Sequence, residues 1–555
     1  MSRSKEFSIT ITAIILAATL MFSGPASKAE VVFVSGDVAG VWSADSVIVT
    51  DSVRVPAGES LTIMPGVDVL FTSYYKFEVL DGAVLHAVGT ESDSIRFLPF
   101  TEGDRTLGID FISASDQSIL EYCYISDAIT VAVHLENSSV TVRNCLIENC
   151  KAGSGSDGGG AIEALSGSDG LIENNVFRNN ESTDYGGAIY CGASSPEIRG
   201  NIIENNLAGY ALNCGGGAIA CFENSSPSII DNVIRNNTVH ASGSFSMGHG
   251  KGGALFVSGG SNAEICGNII TGNLVVTSPQ TTSDGGAIFI ANADPVLSNN
   301  VIAGNEAQGD NGGAIYLSAA FPTFLNNTIV NNEAGDLGGA IYMYASHPVI
   351  VNSILYYNQD SAATEIYGVN SSTVIVSYSD VEGGWEGEGN VDIDPLFRDM
   401  SGGDFHLQAE MCGDENDSPL IDAGSPEYAD GILDCEWGLG TELSDMGAYG
   451  GQGTPTGVED ADGGLLPNTF GLSQNYPNPF NASTAISFQL PEATSVTLDI
   501  YDMLGRKIET LINNQLRTAG EHRVIWNASE YSSGTYFYNL RADGDSRTSK
   551  MVLIK

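Results

Sequence analysis

The sequence predicts an all-β chain: a solenoid of stacked parallel coils, followed by a small β-sandwich. Three observations carry this. A Gly-Gly-Ala phrase recurs with its alanine at Ala161, Ala188, Ala218, Ala254, Ala287, Ala314 and Ala340, spaced 27, 30, 36, 33, 27 and 26 residues apart. A second marker, Asn-x-Ile/Phe/Leu, falls at Asn144, Asn175, Asn201, Asn232, Asn268, Asn300, Asn327 and Asn352, in phase with the first. Beyond Leu465 the repeat stops and longer alternating segments take over. A fixed period of this length is the mark of a repeat architecture.

Taking the chain in order, Arg3 and Lys5 precede an apolar run from Ile9 to Phe22 and then "GPASKAE", with Ser27 and Ala29 at cleavage-type positions. This reads as a secretory signal peptide over 1–29 and a mature start near Glu30. The run is shorter than the ~20 residues that a membrane span needs, and no later stretch is long or apolar enough. The chain has 555 residues, too many for one compact core, and 42% are hydrophobic, too many for disorder. A net charge of −46 argues against nucleic acid or an anionic membrane as partner. It suits an extracellular protein or one that meets divalent cations. Nine cysteines leave at least one thiol unpaired, and none stand at CxxC spacing, so zinc has little support.

From Glu30 to Gly451 the segments are short, alternating and rich in Val, Ile and Tyr, with Gly, Asn, Ser and Pro between them. Such segments are strands of four to six residues, and three of them with three turns fill ~25 residues per coil. In-register stacking places neighbouring strands ~4.8 Å apart. The glycine pair sits where a turn enters a strand, and the Ile after each Ala points inward. Asn tolerates left-handed turns and can bond to the Asn of the next coil. Insertions such as Val239 to Lys251 loop out of a turn.

The Asn column, the "GGAIY" phrase and the unit length resemble the right-handed parallel β-helix repeat proteins of bacterial surfaces. "VPAGESLTIMPGVDVLF" and "KFEVLDGAVLHAVGT" are similar to that family's first coils. "DPLFRD", "DFHLQ", "SPLIDAGSPE" and "DMGAYGG" resemble the segment that closes many such helices. The resemblance covers 30–451 and implies a fold more than an activity.

A Gly-rich acidic linker over 452–465 leads to a tail, 466–555, whose strands "AISFQL", "VTLDIY", "RVIWNA", "TYFYNL" and "KMVLIK" suggest a small immunoglobulin-like β-sandwich. From Leu465 onward 8 basic residues balance 8 acidic ones, so the acidity lies upstream. "LSQNYPNPFNASTAISFQLP", "LDIYDMLGRKIETL" and "SGTYFYNLRA" resemble the C-terminal sorting domain of type IX secretion cargo. That resemblance implies handling by the type IX machinery and delivery to the outer surface.

Two columns are candidate sites. Alternation across "GGAIYL" turns Tyr316 outward, with Tyr190, Phe256, Phe289 and Tyr342 in the same column; Phe222 and Tyr344, two places on, also point out. Such a stripe either stacks on sugar rings or serves as a ladder stabilising neighbouring strands. Glu163 and Ala220 interrupt it. Just before the glycines stand Asp157, Asp184, Asp310 and Asp336, with Asp284 displaced by one. These either bridge coils through Ca2+ or cap turns as solvated side chains.

Expectation therefore falls on a secreted or cell-surface β-helix acting as a binding or structural module, adhesin-like, with polysaccharide or surface glycan as partner. The alternative is a polysaccharide lyase or glycoside hydrolase on this scaffold. For a lyase base the lysines before 451 are Lys76, Lys151 and Lys251, and the recurring Arg178 and Arg235 read as surface structure. The carboxylates form a ladder, not the single flanking pair a hydrolase needs. The seven histidines show no triad-like context. "GSGSDG" at 153–158 matches GxGxxG without any helix and is a coil turn. Cys123 with Cys145 and Cys191 with Cys221 share columns, either as packing residues or as cross-coil disulfides. Cys412 and Cys435 are placed to clasp the acidic loop of the closing segment.

Overall fold

The computed structural model describes residues 30–153, 158–242, 248–276, 281–430, 433–435 and 437–451. In the tail it describes 471–472, 475, 478, 480, 483–490, 494–503, 506–517, 520–528, 531–542 and 545–553. The segment 1–29, read as a signal peptide, lies outside the described residues, as does Asp157. Two compact units result, one within 1–456 and one within 457–555.

The first unit is a parallel β-helix. One coil contains strands Ile315–Ser318, Thr323–Leu325, Thr328–Val330 and Glu333–Ala334. Each pairs in parallel with its equivalent one coil before and after, as Ile315 does with Ile288 and Ile341. Three ladders run the length of the helix. A fourth, of seven short strands from Lys151–Ala152 to Glu333–Ala334, is added in the middle coils. Those coils thus have four strands where the sequence suggested three, because the stretch between the Asn-rich turn and the glycines is extended enough to pair. Ile162, Ile189, Ile219, Leu255, Ile288, Ile315 and Ile341 stack inward and are at most 1% exposed. Each such burial is worth about 1.5–3 kcal/mol.

The two glycines have different causes. Gly312 has φ 71°, which a side chain disfavours, whereas a Cβ on Gly313 would run into the carbonyl oxygen of Gly339 in the next coil. The asparagines also divide their labour. Asn175, Asn201, Asn232, Asn268, Asn300 and Asn327 form a buried column in which each side-chain oxygen accepts the backbone and side-chain N–H groups of the preceding Asn at 2.9–3.1 Å. Left-handed backbone belongs to the residue before, as in Asn174, Asn299 and Asn326 (φ 51–53°). Asn144 and Asn352 are of this second kind, so the column itself ends on Cys145 and Ser353. A second column of Asn180, Asn206, Asn237, Asn273, Asn305, Asn332 and Asn358 runs parallel to it and finishes on the carboxyl of Glu365.

Residues 397–451 fold back on the outer face of the last coils. Phe397, Phe405, Leu407, Leu420, Leu439 and Met446 pack on Val301, Ala303, Val330 and Ile354. Asn299 donates to the carbonyls of Ala448 and Gly450, and Asn326 to that of Asp445, at 2.8–2.9 Å. The second unit consists of a three-stranded and a four-stranded antiparallel sheet. Trp526, Tyr538, Phe488, Leu498, Leu540 and Met551 share its core. The indole N–H of Trp526 donates to Glu509 at 2.7 Å, satisfying the one polar atom that this burial would strand.

Candidate functional site

The outward position of the "GGAIY" strand forms one register column: Glu78, Asp110, His134, Glu163, Tyr190, Ala220, Phe256, Phe289, Tyr316, Tyr342, Tyr367. Its side chains point away from the coil core, but much of the column is not at the surface. Tyr190, Phe256 and Phe289, expected to face solvent, are only 4–7% exposed. Phe256 and Phe289 are covered by a small parallel sheet of Asn213–Gly215, Gly248–Lys251 and Thr281–Asp284, built from the longer insertions, while Tyr190 packs against the Phe222 ring at 5.6 Å. So the 239–251 insertion does not simply loop out. Lys251 sets its ammonium 5.7 and 5.5 Å from the ring centres of Phe256 and Phe289, and burial lowers its pKa. Phe222 joins the covered group, 4.7 Å from the Tyr185 ring and 5.0 Å from that of Phe256.

The cover stops at Thr281–Asp284, and the rings continue beyond it. Phe289 stacks on Tyr316 at 4.8 Å, Tyr316 on Tyr342 at 5.0 Å and Tyr342 on Tyr367 at 5.9 Å, with interplanar angles of 5–24°. Rings stacked along the helix axis occupy one another's faces, so this ledge offers edges and hydroxyls rather than faces for sugar stacking. Tyr344 beside it is 44% exposed. Among the described residues the hydroxyls of Tyr316, Tyr342, Tyr344 and Tyr367 have no hydrogen-bond partner, unlike those of Tyr124 and Tyr378, which donate to Glu148 and Glu388.

Comparison with known protein families decides what the scaffold is. The right-handed beta helix region matches in two overlapping stretches, 107–276 and 246–390, together just over half of the chain. The chain belongs to the right-handed β-helix family. The secretion system C-terminal sorting domain matches 474–555, so this β-helix protein is exported by type IX secretion to the cell surface or extracellular space. No curated protein matches it. No described helix is long and apolar enough to cross a membrane.

Carboxylates border the β-helix's tyrosine ledge. Burial first, and then the charges of Asp284, Asp310 and the neighbouring tyrosines, push the Tyr316 phenol up; Asp284 and Asp336 act likewise on Tyr342. Asp284 lies opposite Lys251, and burial, helped by Asp310, raises its carboxyl to about 7. Asp310 accepts the N–H of Ser283 at 2.9 Å, and Asp336 accepts the Ser361 hydroxyl at 3.4 Å. Asp184 is half-buried under the cover, away from the ledge, and accepts the Thr183 hydroxyl at 3.4 Å. Among the described residues no three His, Cys, Asp or Glu converge to hold a metal ion, so the Ca2+ reading finds no built site there.

The charges divide the β-helix in two. Residues 30–251 contain ten Lys and Arg, and all but Lys251 form an ion pair, including Lys76–Asp110, Lys151–Glu181, Arg178–Glu148 and Arg235–Glu204. Of the lysines weighed as lyase bases, Lys76 and Lys151 are thus engaged in ion pairs, and Lys251 lies over the Phe256 and Phe289 rings. From 252 to 397 there is no Lys or Arg at all, against 15 Asp and Glu.

Sequence reasoning missed the polar start of the column. His134 Nδ1 lies 2.7 Å from Glu163, which is 3% exposed, and the pairing raises the histidine pKa. The signal was present in Glu163, the exception in the aromatic stripe. Cys412 and Cys435 form a disulfide with Cα atoms 5.7 Å apart. Cys123, Cys145, Cys191 and Cys221 are buried thiols that pack in the coils and form no disulfide, as are Cys150, Cys214 and Cys266.

Proposed function

We propose that this surface-exported β-helix is a rigid binding module that holds a glycan along the ledge of Tyr316, Tyr342 and Tyr367. The supporting observation is the unpartnered tyrosine hydroxyls where the cover ends at Thr281–Asp284. Past the edge of the cover the column carries Tyr in three successive coils, each partly exposed. Ring packing alone needs no hydroxyl, as Phe256 and Phe289, edge to face at 5.4 Å, illustrate. Hydroxyls repeated at the coil spacing suit the hydroxyls of successive sugar units. The rigid ladder beneath them lowers the ordering cost of binding.

The test is the triple change Tyr316→Phe, Tyr342→Phe and Tyr367→Phe in the full chain, with oligosaccharide binding followed by calorimetry. Binding is expected to fall at least tenfold, while the melting temperature stays within the range of about 1 kcal/mol because the rings still stack. Unchanged binding sinks the ledge as the site. New reducing or unsaturated ends in the same mixtures would move the reading to a glycoside hydrolase or polysaccharide lyase.

A further inference from the structure

We infer that the glycan is a cationic one, carrying protonated amino groups as glucosamine polymers do. This rests on the ledge being the glycan site and adds the chemistry of its ligand. The ledge lies in the half of the helix that has no Lys or Arg between 252 and 397. Asp310 and Asp336 lie close enough for their charges to act on its phenols. Asp310 and Asp336 stand in successive coils, joined where the N–H of Asp336 donates to the carbonyl of Asp310 at 2.8 Å. Among the described residues each engages one carboxylate oxygen, leaving the other for a ligand. The nearest ammonium, Lys251, faces Asp284 and sits over the covered rings, so it does not offset the open carboxylates.

A uronic acid or sulfated chain would bring further negative charge to this strip, and like charges at close range disfavour binding. An amino sugar supplies N–H donors and positive charge for the Asp residues and hydroxyls for the tyrosines. A linear cationic peptide offers the charge but not the ring hydroxyls.

The experiment uses the full chain with four probes: a glucosamine hexamer, its fully N-acetylated counterpart, a galacturonate hexamer and hexalysine, at mildly acidic pH. The glucosamine hexamer is expected to bind at least tenfold more tightly than the other three, and to weaken as salt is raised. The double change Asp310→Asn, Asp336→Asn should erase its advantage over the acetylated hexamer. The Tyr→Phe triple change should weaken both glucosamine probes. If the acetylated or galacturonate hexamer binds as well as the amine, the charge inference falls while the glycan reading stands. Should hexalysine match the glucosamine hexamer, the strip recognises charge alone, and the amino-glycan is overturned. If no glycan binds, both readings fall.

Discussion

The outward column Glu148, Arg178, Glu204, Arg235 continues one coil after another into Thr271, Ala303, Val330 and Tyr356. The first half alternates in charge, and its members pair: Arg178 with Glu148 at 2.5 Å and Arg235 with Glu204 at 2.7 Å. In the second half the same position turns apolar, and Val330 is 0% exposed. The backbone is the same in both halves; what differs is the cover. Water lies over the first half, and residues 397–451 lie over the second. The aromatic column repeats the lesson, with Phe289 under the small sheet and Tyr316 just past its edge. In a solenoid the inward residues report the coil, and the outward residues report what covers it.

Several changes would break or sharpen this contrast. The largest effect is expected from Val330→Asp, which buries a carboxylate among the apolar side chains of the closing segment. It should cost about 3–5 kcal/mol in chemical unfolding and open 397–451 to proteolysis. Replacing Cys412 and Cys435 by Ser removes a cross-link between residues 23 apart and should cost about 3 kcal/mol of closing-segment stability, read by hydrogen exchange. If exchange there is unchanged, the cover holds by packing alone.

The acidic half should also respond to pH. Burial raises Glu365 to about 8 and Asp380 to about 7, so the folded state retains protons that the unfolded chain releases near pH 4. The stability they contribute is whole below that pH and is lost as pH rises toward 7–8, so melting temperature should fall from pH 5 to pH 8. Glu365→Gln should flatten part of that slope. A melting temperature that rises over this interval would overturn the assignment. The smallest effect is expected from Arg178→Ala, about 1 kcal/mol or less, because the guanidinium is 41% exposed and its pair is screened by solvent. A loss as large as that of Val330→Asp would erase the distinction between the two halves.

Much of the coil was legible because its causes are local and repeated. A glycine that needs φ near 70°, an inward Ile and an Asn in a buried hydrogen-bond column recur at each turn, so a one-dimensional pattern records them. The finer division, left-handed residue first and ladder Asn second, blurred into one marker because Asn serves in both places. The fourth strand ladder was missed for a related reason: two-residue strands such as Glu333–Ala334 are too short to alternate visibly.

The sequence by itself determined the parallel stack, its core and the character of the tail, since these follow from periodicity and from side chains that meet their own repeats. Only the tertiary structure decided which outward residues are surface. The cover over Phe256 and Phe289 comes from insertions in three successive coils, and that over Val330 comes from residues about a hundred positions later. No local pattern encodes such an encounter. Alternation tells which way a side chain points; burial depends on what arrives above it, and the tyrosine ledge is what those covers leave open.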